Sequence, residues 1–315
     1  MTNRYKPEGA RIVTAQNREY ISSLSGLEKA LEKQLILEAP AILCDHNFNL
    51  HISLGGGVSG IIPREECEFI RNDEEIKDIA ILTRVGKPVC FKILGFEKSE
   101  SGATVAILSR RAAQRECALN YVSTLIAGDI IPARVTHIEN FGAFVDIGCG
   151  IISLLSIDCI SVSRIAHPSA RLLVGDTMFA VVKSIDERGR VYVTERELLG
   201  SWEENVSRFS EGQTVRGIVR SVESYGIFVE LAPNLAGLAE YKDNVYPEQT
   251  AAVYIKSIIA DKMKVKLIII DTTDEPIYRQ PLEYFIDPAE IKHIDSWTYS
   301  PPGCKKLIES SFVQL

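Results

Sequence analysis

Short stretches in which apolar and polar residues alternate recur along the chain. They predict β-strands, because successive side chains on a strand point to opposite faces. Over residues 49–54, Leu50, Ile52 and Leu54 share one side and His51 and Ser53 the other, with Gly55, Gly56 and Gly57 making the turn that follows. The runs 89–94 and 103–108 read as two further strands joined by the polar loop 97–102. Along 142–147, Ala143, Val145 and Ile147 face one way while Gly142, Phe144 and Asp146 face the other. A large aromatic therefore sits on the face that a half-buried strand normally gives to polar groups.

Helical spacing is sparser. Ser25 and Glu28 have the spacing of a capping box and predict a helix carrying Leu27, Ala30, Leu31 and Leu35 on one face. Ala113, Cys117, Tyr121 and Leu125 recur every four residues and predict a connecting helix. Ser201 and Glu204 form a second capping box, with Trp202, Val206 and Phe209 on one face. Residues 1–22 show no period and read as a loosely docked arm. Residues 273–315 carry Pro276, Pro281, Pro288, Pro301 and Pro302 among Tyr284, Phe285, Trp297, Tyr299 and Phe312. That is too apolar for a disordered tail, and it predicts an extension wrapping onto the unit before it.

The strand pattern repeats. Aligning Gly128 with Gly212 pairs GDIIPARVTHIENFGAFVDI with GQTVRGIVRSVESYGIFVEL, so that Tyr225 matches Phe141 and Phe228 matches Phe144. Setting Gly60 against Ser153 places Phe48 and His51 at the same two positions in an earlier, weaker copy. A unit with about five short strands and an aromatic on its outer face predicts a small barrel of the OB type. The fold class is thus all-β dominated: three tandem five-stranded OB-type barrels joined by short helices, with an N-terminal helix and a Pro-rich C-terminal extension. The divisions are an arm and helix (1–36), a degenerate barrel (37–111), a linker helix (112–126), a barrel (127–197), a second linker helix (198–211), a shortened barrel (212–272) and the extension (273–315). Such barrels bind single strands by stacking bases on aromatics.

Composition narrows the function classes. The net charge of −7 argues against a broad basic surface, so nucleic-acid binding would rest on stacking and local cations. Seven cysteines, scattered and without a CxxC pair, predict reduced thiols, and the absence of an apolar signal core near the N-terminus predicts a cytoplasmic protein with no membrane partner. Cys44, His46 and His51 have no metal-ligand spacing, and no catalytic triad, carboxylate pair or phosphate-cradling loop is visible. The expectation is a non-enzymatic protein without cofactor or metal. Arg134, Arg190, Arg216, Arg220, Lys183 and Lys264 are candidate phosphate contacts, each to be weighed against an ordinary surface charge. Phe141 and Phe144 are weighed against a role in packing a neighbouring domain.

FGAFVDIG at 141–148 and VGD followed by AVVKSIDERGR at 174–190 resemble the S-one motif, the RNA-binding barrel named after the largest protein of the bacterial small ribosomal subunit. GSWEEN at 200–205, SYGIFVELAPNLAGLAE at 224–240 and HIDSWTYSPP at 293–302 are similar to its shorter Gram-positive relatives. In that family two aromatics, a His, an Asp and an Arg frame the RNA. The resemblance puts these roles on Phe141, Phe144, Ser156, Asp186 and Arg190 in the middle barrel, with Ser where the family has His. In the last barrel they fall on Tyr225, Phe228, Glu240, Ile259 and Lys264, and in the first only Phe48 and His51 correspond. It implies single-stranded RNA as partner, messenger RNA at the 30S subunit in particular, with 30S proteins as further partners. Phe141, Phe144, Tyr225 and Phe228 would stack bases, and Arg134, Arg190, Arg216 and Lys264 would meet phosphates. The alternative is a protein-interaction scaffold on the ribosome or an RNA-decay complex, favoured by the acidic total and by Glu240. The first barrel, whose aromatic platform is incomplete, is expected to dock protein rather than RNA.

Overall fold

Each alternating stretch closes into a barrel rather than an open sheet, which leaves no strand edge unpaired. The computed structural model describes residues 4–70, 76–100, 102–275 and 282–313. After α1 (Ala15–Ile21) and α2 (Leu24–Glu32), the first barrel uses β1 (Leu37–Cys44), β2 (Leu50–Ser53), β3 (Ser59–Ile62), β4 (Pro88–Lys98) and β5 (Thr104–Ser109), with α3 (Asp78–Leu82) before β4 and α4 (Arg110–Asn120) after β5. The middle barrel uses β6 (Ile130–Glu139), β7 (Gly142–Asp146), β8 (Ile152–Ser156), β9 (Thr177–Ile185) and β10 (Val191–Thr194), and α5 (Trp202–Val206) follows. The last uses β11 (Thr214–Glu223), β12 (Gly226–Ala232), β13 (Leu235–Ala239), β14 (Thr250–Ile259) and β15 (Lys264–Thr273). All three close in one strand order, first-second-third-fifth-fourth. The third and fifth strands run parallel in each, as in β3 with β5, β8 with β10 and β13 with β15. This is the OB-type architecture that the alternation predicts.

The phase of the strands is also as read. Ala143, Val145, Ile227 and Val229 are fully buried, while Phe144 and Phe228 are only half-buried. Two outward residues behave differently. Asp146 and Glu230 point away from their barrels yet are buried, each held by polar partners described below.

Two compact units divide the chain. The first takes Met1–Leu125 with 132–134 and 146–152, and the second takes the remainder through Leu315. Within the first, residues 4–22 are not the loose arm that their lack of period predicts. The Glu38 carboxylate on β1 accepts the N–H groups of Gly9, Arg11 and Ile12 at 2.7–2.8 Å. The buried Glu8 carboxylate accepts from Arg110 Nε at 2.7 Å, and its N–H donates to Asp146 at 2.6 Å. Docking through backbone N–H groups and carboxylates leaves no hydrophobic period to detect. Thr14 caps α1, and Ser23 caps α2 by accepting from Gly26 N–H. The predicted cap at Ser25 is therefore two residues late, whereas the Ser201–Glu204 capping box is present with both of its hydrogen bonds.

Within the second unit the C-terminal extension does more than cover the last barrel. Trp297 and Tyr299 join the last barrel's core with Val229, Ile255 and Leu267. Tyr284, Ile286 and Phe312 instead pack with Ile130 and Val181 of the middle barrel and with Leu198 just after it. His293 Nδ1 lies 2.8 Å from Asp129 Oδ1, and β16 (Ser296–Thr298) pairs with β17 (Glu309–Ser311). The extension thus bridges two barrels, a correction to its expected place on one. Pro276 and Pro281 lie outside the described residues. Among those described, no helix is long and apolar enough to cross a membrane.

Candidate nucleic-acid interface

Tight strand approach sets the aromatic site. A Cβ on Gly142 would lie 2.4 Å from the carbonyl oxygen of Leu155, so only glycine lets β7 come this close to β8. Phe141 and Phe144 flank that closure. Their ring centroids are 6.0 Å apart with planes at 89°, and Phe141 is 54% exposed. His137, on the neighbouring β6, stacks on Phe144 with centroids 6.3 Å apart and an interplanar angle of 22°. Its Nε2 lies 2.7 Å from Glu139 Oε1. Three rings therefore share this face, and His137 is one that alternation did not single out.

The last barrel reproduces the arrangement. A Cβ on Gly226 would lie 2.5 Å from the Ala239 carbonyl, and Tyr225 and Phe228 stand 6.2 Å apart at 85°. Tyr225 is 69% exposed. An edge-to-face pair with one ring open to solvent is shaped to receive a flat apolar ligand such as a base. In the first barrel the platform is missing. Phe48 packs partly into the core, with the Arg64 guanidinium 5.7 Å from its ring centroid, and His51 is held 3.2 Å from Asp45.

The polar frame is uneven. Asp186 accepts the N–H groups of Arg188 and Arg190 at 3.0 and 2.8 Å, which shapes the hairpin and holds its carboxyl below the usual range. The Arg190 side chain is exposed beside it. Ser156 hydrogen-bonds Asp158, which helps keep that carboxyl ionised. Ser156 also lines a cavity of about 250 Å³ with Leu154, Lys183, Ser184, Tyr192 and Val193. Arg216 and Lys264 are exposed on β11 and β15. The exposed Glu240 carboxylate lies 3.8 Å from Lys256 Nζ. Ile259 is partly covered at the end of β14 and offers no polar group.

Two expected phosphate contacts are engaged elsewhere. Arg134 Nη1 donates to the Glu8 carbonyl at 3.0 Å, over Gly9, where a Cβ would lie 1.6 Å from that nitrogen. Arg220 is buried, with Nε 2.8 Å from Glu230 and Nη1 3.0 Å from Glu248. Alternation exposes an arginine to solvent only if no distant segment supplies a carboxylate or carbonyl, and here both do. Among the described residues no cluster of three or more His, Cys, Asp or Glu side chains could hold a metal ion.

The fold and the paired rings define a class: tandem OB-type barrels with outward aromatic platforms. A family model described as the S1 RNA binding domain matches residues 124–195, the middle barrel. The small ribosomal subunit protein bS1 of Leuconostoc lactis is 32% identical over 179 residues, covering 54% of this chain and 41% of that protein. The bS1 of Staphylococcus aureus strain COL is 27% identical over 246 residues, covering 75% and 58%. A crystal structure of a multidomain protein with nucleic acid binding domains from Streptococcus pneumoniae aligns at 14% identity over 78% of this chain and 76% of that one, with a TM-score of 0.25. Residues 124–195 thus match the S1 RNA binding domain, and the chain as a whole is similar to small ribosomal subunit proteins bS1. It spans 41 to 58% of the length of these two curated relatives.

Proposed function

We propose that this chain holds single-stranded RNA across its middle and last barrels, and that its RNA is messenger RNA at the small ribosomal subunit. One observation carries the reading: the exposed right-angle ring pair, Phe141 with Phe144, recurs as Tyr225 with Phe228 in a second barrel. The S1 RNA binding domain match and the relatives named as small ribosomal subunit proteins support the choice of ligand and place. Bases stack on the rings, and Arg190, Arg216 and Lys264 meet phosphates. Stacking contributes about 1–3 kcal/mol per base, and two barrels on one strand add avidity. Filter binding of a single-stranded RNA by the Phe141→Ala, Phe144→Ala double variant tests this. The expected result is an affinity loss of about tenfold or more, corresponding to at least about 1.4 kcal/mol. Unchanged affinity contradicts it.

A second reading applies to the first barrel. Phe48 is covered there, while Ile42 and Leu43 on β1 stand 60% and 53% exposed. These features favour protein docking for that barrel. Co-sedimentation with ribosomes at low and high salt separates the two modes, since phosphate contacts weaken steeply with salt and apolar docking does not.

A further inference from the structure

The same defect recurs between the fourth and fifth strands of every barrel. In the first barrel Ile93 pairs with Leu108 and Gly95 with Ile107, so Leu94 is skipped. In the middle barrel Val182 pairs with Val193 and Ser184 with Tyr192, so Lys183 is skipped. In the last, Ile255 pairs with Leu267 and Ser257 with Lys266, so Lys256 is skipped. A β-bulge of this kind re-aims one side chain out of the ladder. The re-aimed residue is lysine in the two barrels that carry an exposed ring pair and leucine, half exposed, in the barrel that does not.

The registers trace the bulge round the barrel to the strands that carry the platform, three strands from Phe228 in the last barrel. In the last barrel Phe228 pairs with Leu238, Leu238 with Lys266, and Lys266 with Ser257, next to Lys256. In the middle barrel Leu154 pairs with Tyr192 and Tyr192 with Ser184, next to Lys183. Lys183 lines the cavity of about 250 Å³ that also has Leu154, Ser156 and Tyr192 on its wall. Its Nζ donates to Cys159 Sγ at 3.1 Å. An ammonium has three donors, so two remain for a ligand. Asp158 and Arg196 are the other charged groups acting on it. Lys256 is exposed, with the Glu240 carboxylate 3.8 Å from its Nζ.

We propose that the bulge between the fourth and fifth strands builds a one-phosphate site beside each aromatic platform, with Lys183 as its cation in the middle barrel and Lys256 in the last. The ligand is the backbone phosphate of the nucleotide next to the stacked bases. The Lys183 site is the stronger, because the Glu240 carboxylate competes with phosphate for Lys256. This rests on the RNA-binding reading above.

The test measures single-stranded RNA affinity across a salt series for the wild type, Lys183→Leu, Lys183→Arg, Lys256→Leu and the Phe141→Ala, Phe144→Ala variant. Loss of one phosphate contact lowers the slope of log K against log salt by about 0.7. Lys183→Leu is expected to show that drop, Lys256→Leu a smaller one, and Lys183→Arg the wild-type slope. The aromatic variant is expected to lose affinity at every salt concentration with its slope unchanged. A wild-type slope for Lys183→Leu overturns the proposal, as does a lowered slope for Lys183→Arg, which would signal a structural effect rather than a lost charge. If the aromatic variant instead keeps full affinity, it is the RNA-stacking reading that fails.

Discussion

Ser156 and Glu240 occupy corresponding positions at the ends of β8 and β13, and they set the two platforms apart. Ser156 turns its hydroxyl to Asp158, whereas the Glu240 side chain is 90% exposed beside Lys256. A free carboxylate there repels a phosphate and neutralises its neighbour. Glu240→Ser is expected to tighten single-stranded RNA binding several-fold at low salt, with the gain shrinking as salt screens the charge; titration at two ionic strengths checks it. At this scale Phe144 and Phe228 were legible from strand phase, and Phe141 and Tyr225 from the repeat and the family resemblance. Arg134 and Arg220, candidate phosphate contacts by pattern, are engaged within the fold. Their partners Glu8 and Glu230 lie across a docked segment and a neighbouring strand, which a local pattern does not report. His137 was missed because a lone outward polar residue on β6 looks ordinary until Phe144 is seen beneath its ring.

Among the elements, the barrels were legible and their attachments were not. The C-terminal extension illustrates why. Its aromatics signalled packing, but the sequence held no clue that Tyr284 and Trp297 serve different barrels. Tyr284 hydroxyl donates to Glu195 Oε1 at 3.1 Å, while Glu195 Oε2 has no partner among the described residues. Burial raises the Glu195 carboxyl from 4.5 to about 8. A carboxyl whose folded pKa lies above its unfolded one adds stability that is complete below the unfolded value and is lost as pH rises through the folded one. The melting temperature of the wild type is therefore expected to fall between about pH 5 and pH 8, and that of Glu195→Gln to fall less over the same window. Parallel curves in a thermal-melt series would show that Glu195 does not anchor the extension in this way. The bulges between fourth and fifth strands escaped notice for a related reason. A single extra residue shifts phase by one, and only the pairing partners reveal it.

Over the whole molecule, the acidic total hides how the second unit is assembled. Arg171 reaches from the middle barrel to Glu230 of the last, where Arg220 also binds, and all three side chains are buried. Asn234 adds hydrogen bonds to the Arg196 and Gly200 carbonyls, and accepts from Val162 N–H at 2.9 Å. Removing one member of a buried charge cluster strands the others, at a cost of about 3–5 kcal/mol. Arg171→Met is accordingly expected to lower the denaturant midpoint for the second unit, while Arg216→Met, at an exposed position, leaves it nearly unchanged. These contacts set two aromatic platforms on one compact unit, and the proposed function has a single strand engage both. The most direct test of that claim compares single-stranded RNA with duplex RNA of the same sequence, for the wild type and for the variant carrying alanine at Phe141, Phe144, Tyr225 and Phe228. The wild type should prefer the single strand, and the preference should disappear in the variant; equal binding of both RNAs by the wild type, or an undiminished preference in the variant, would contradict it.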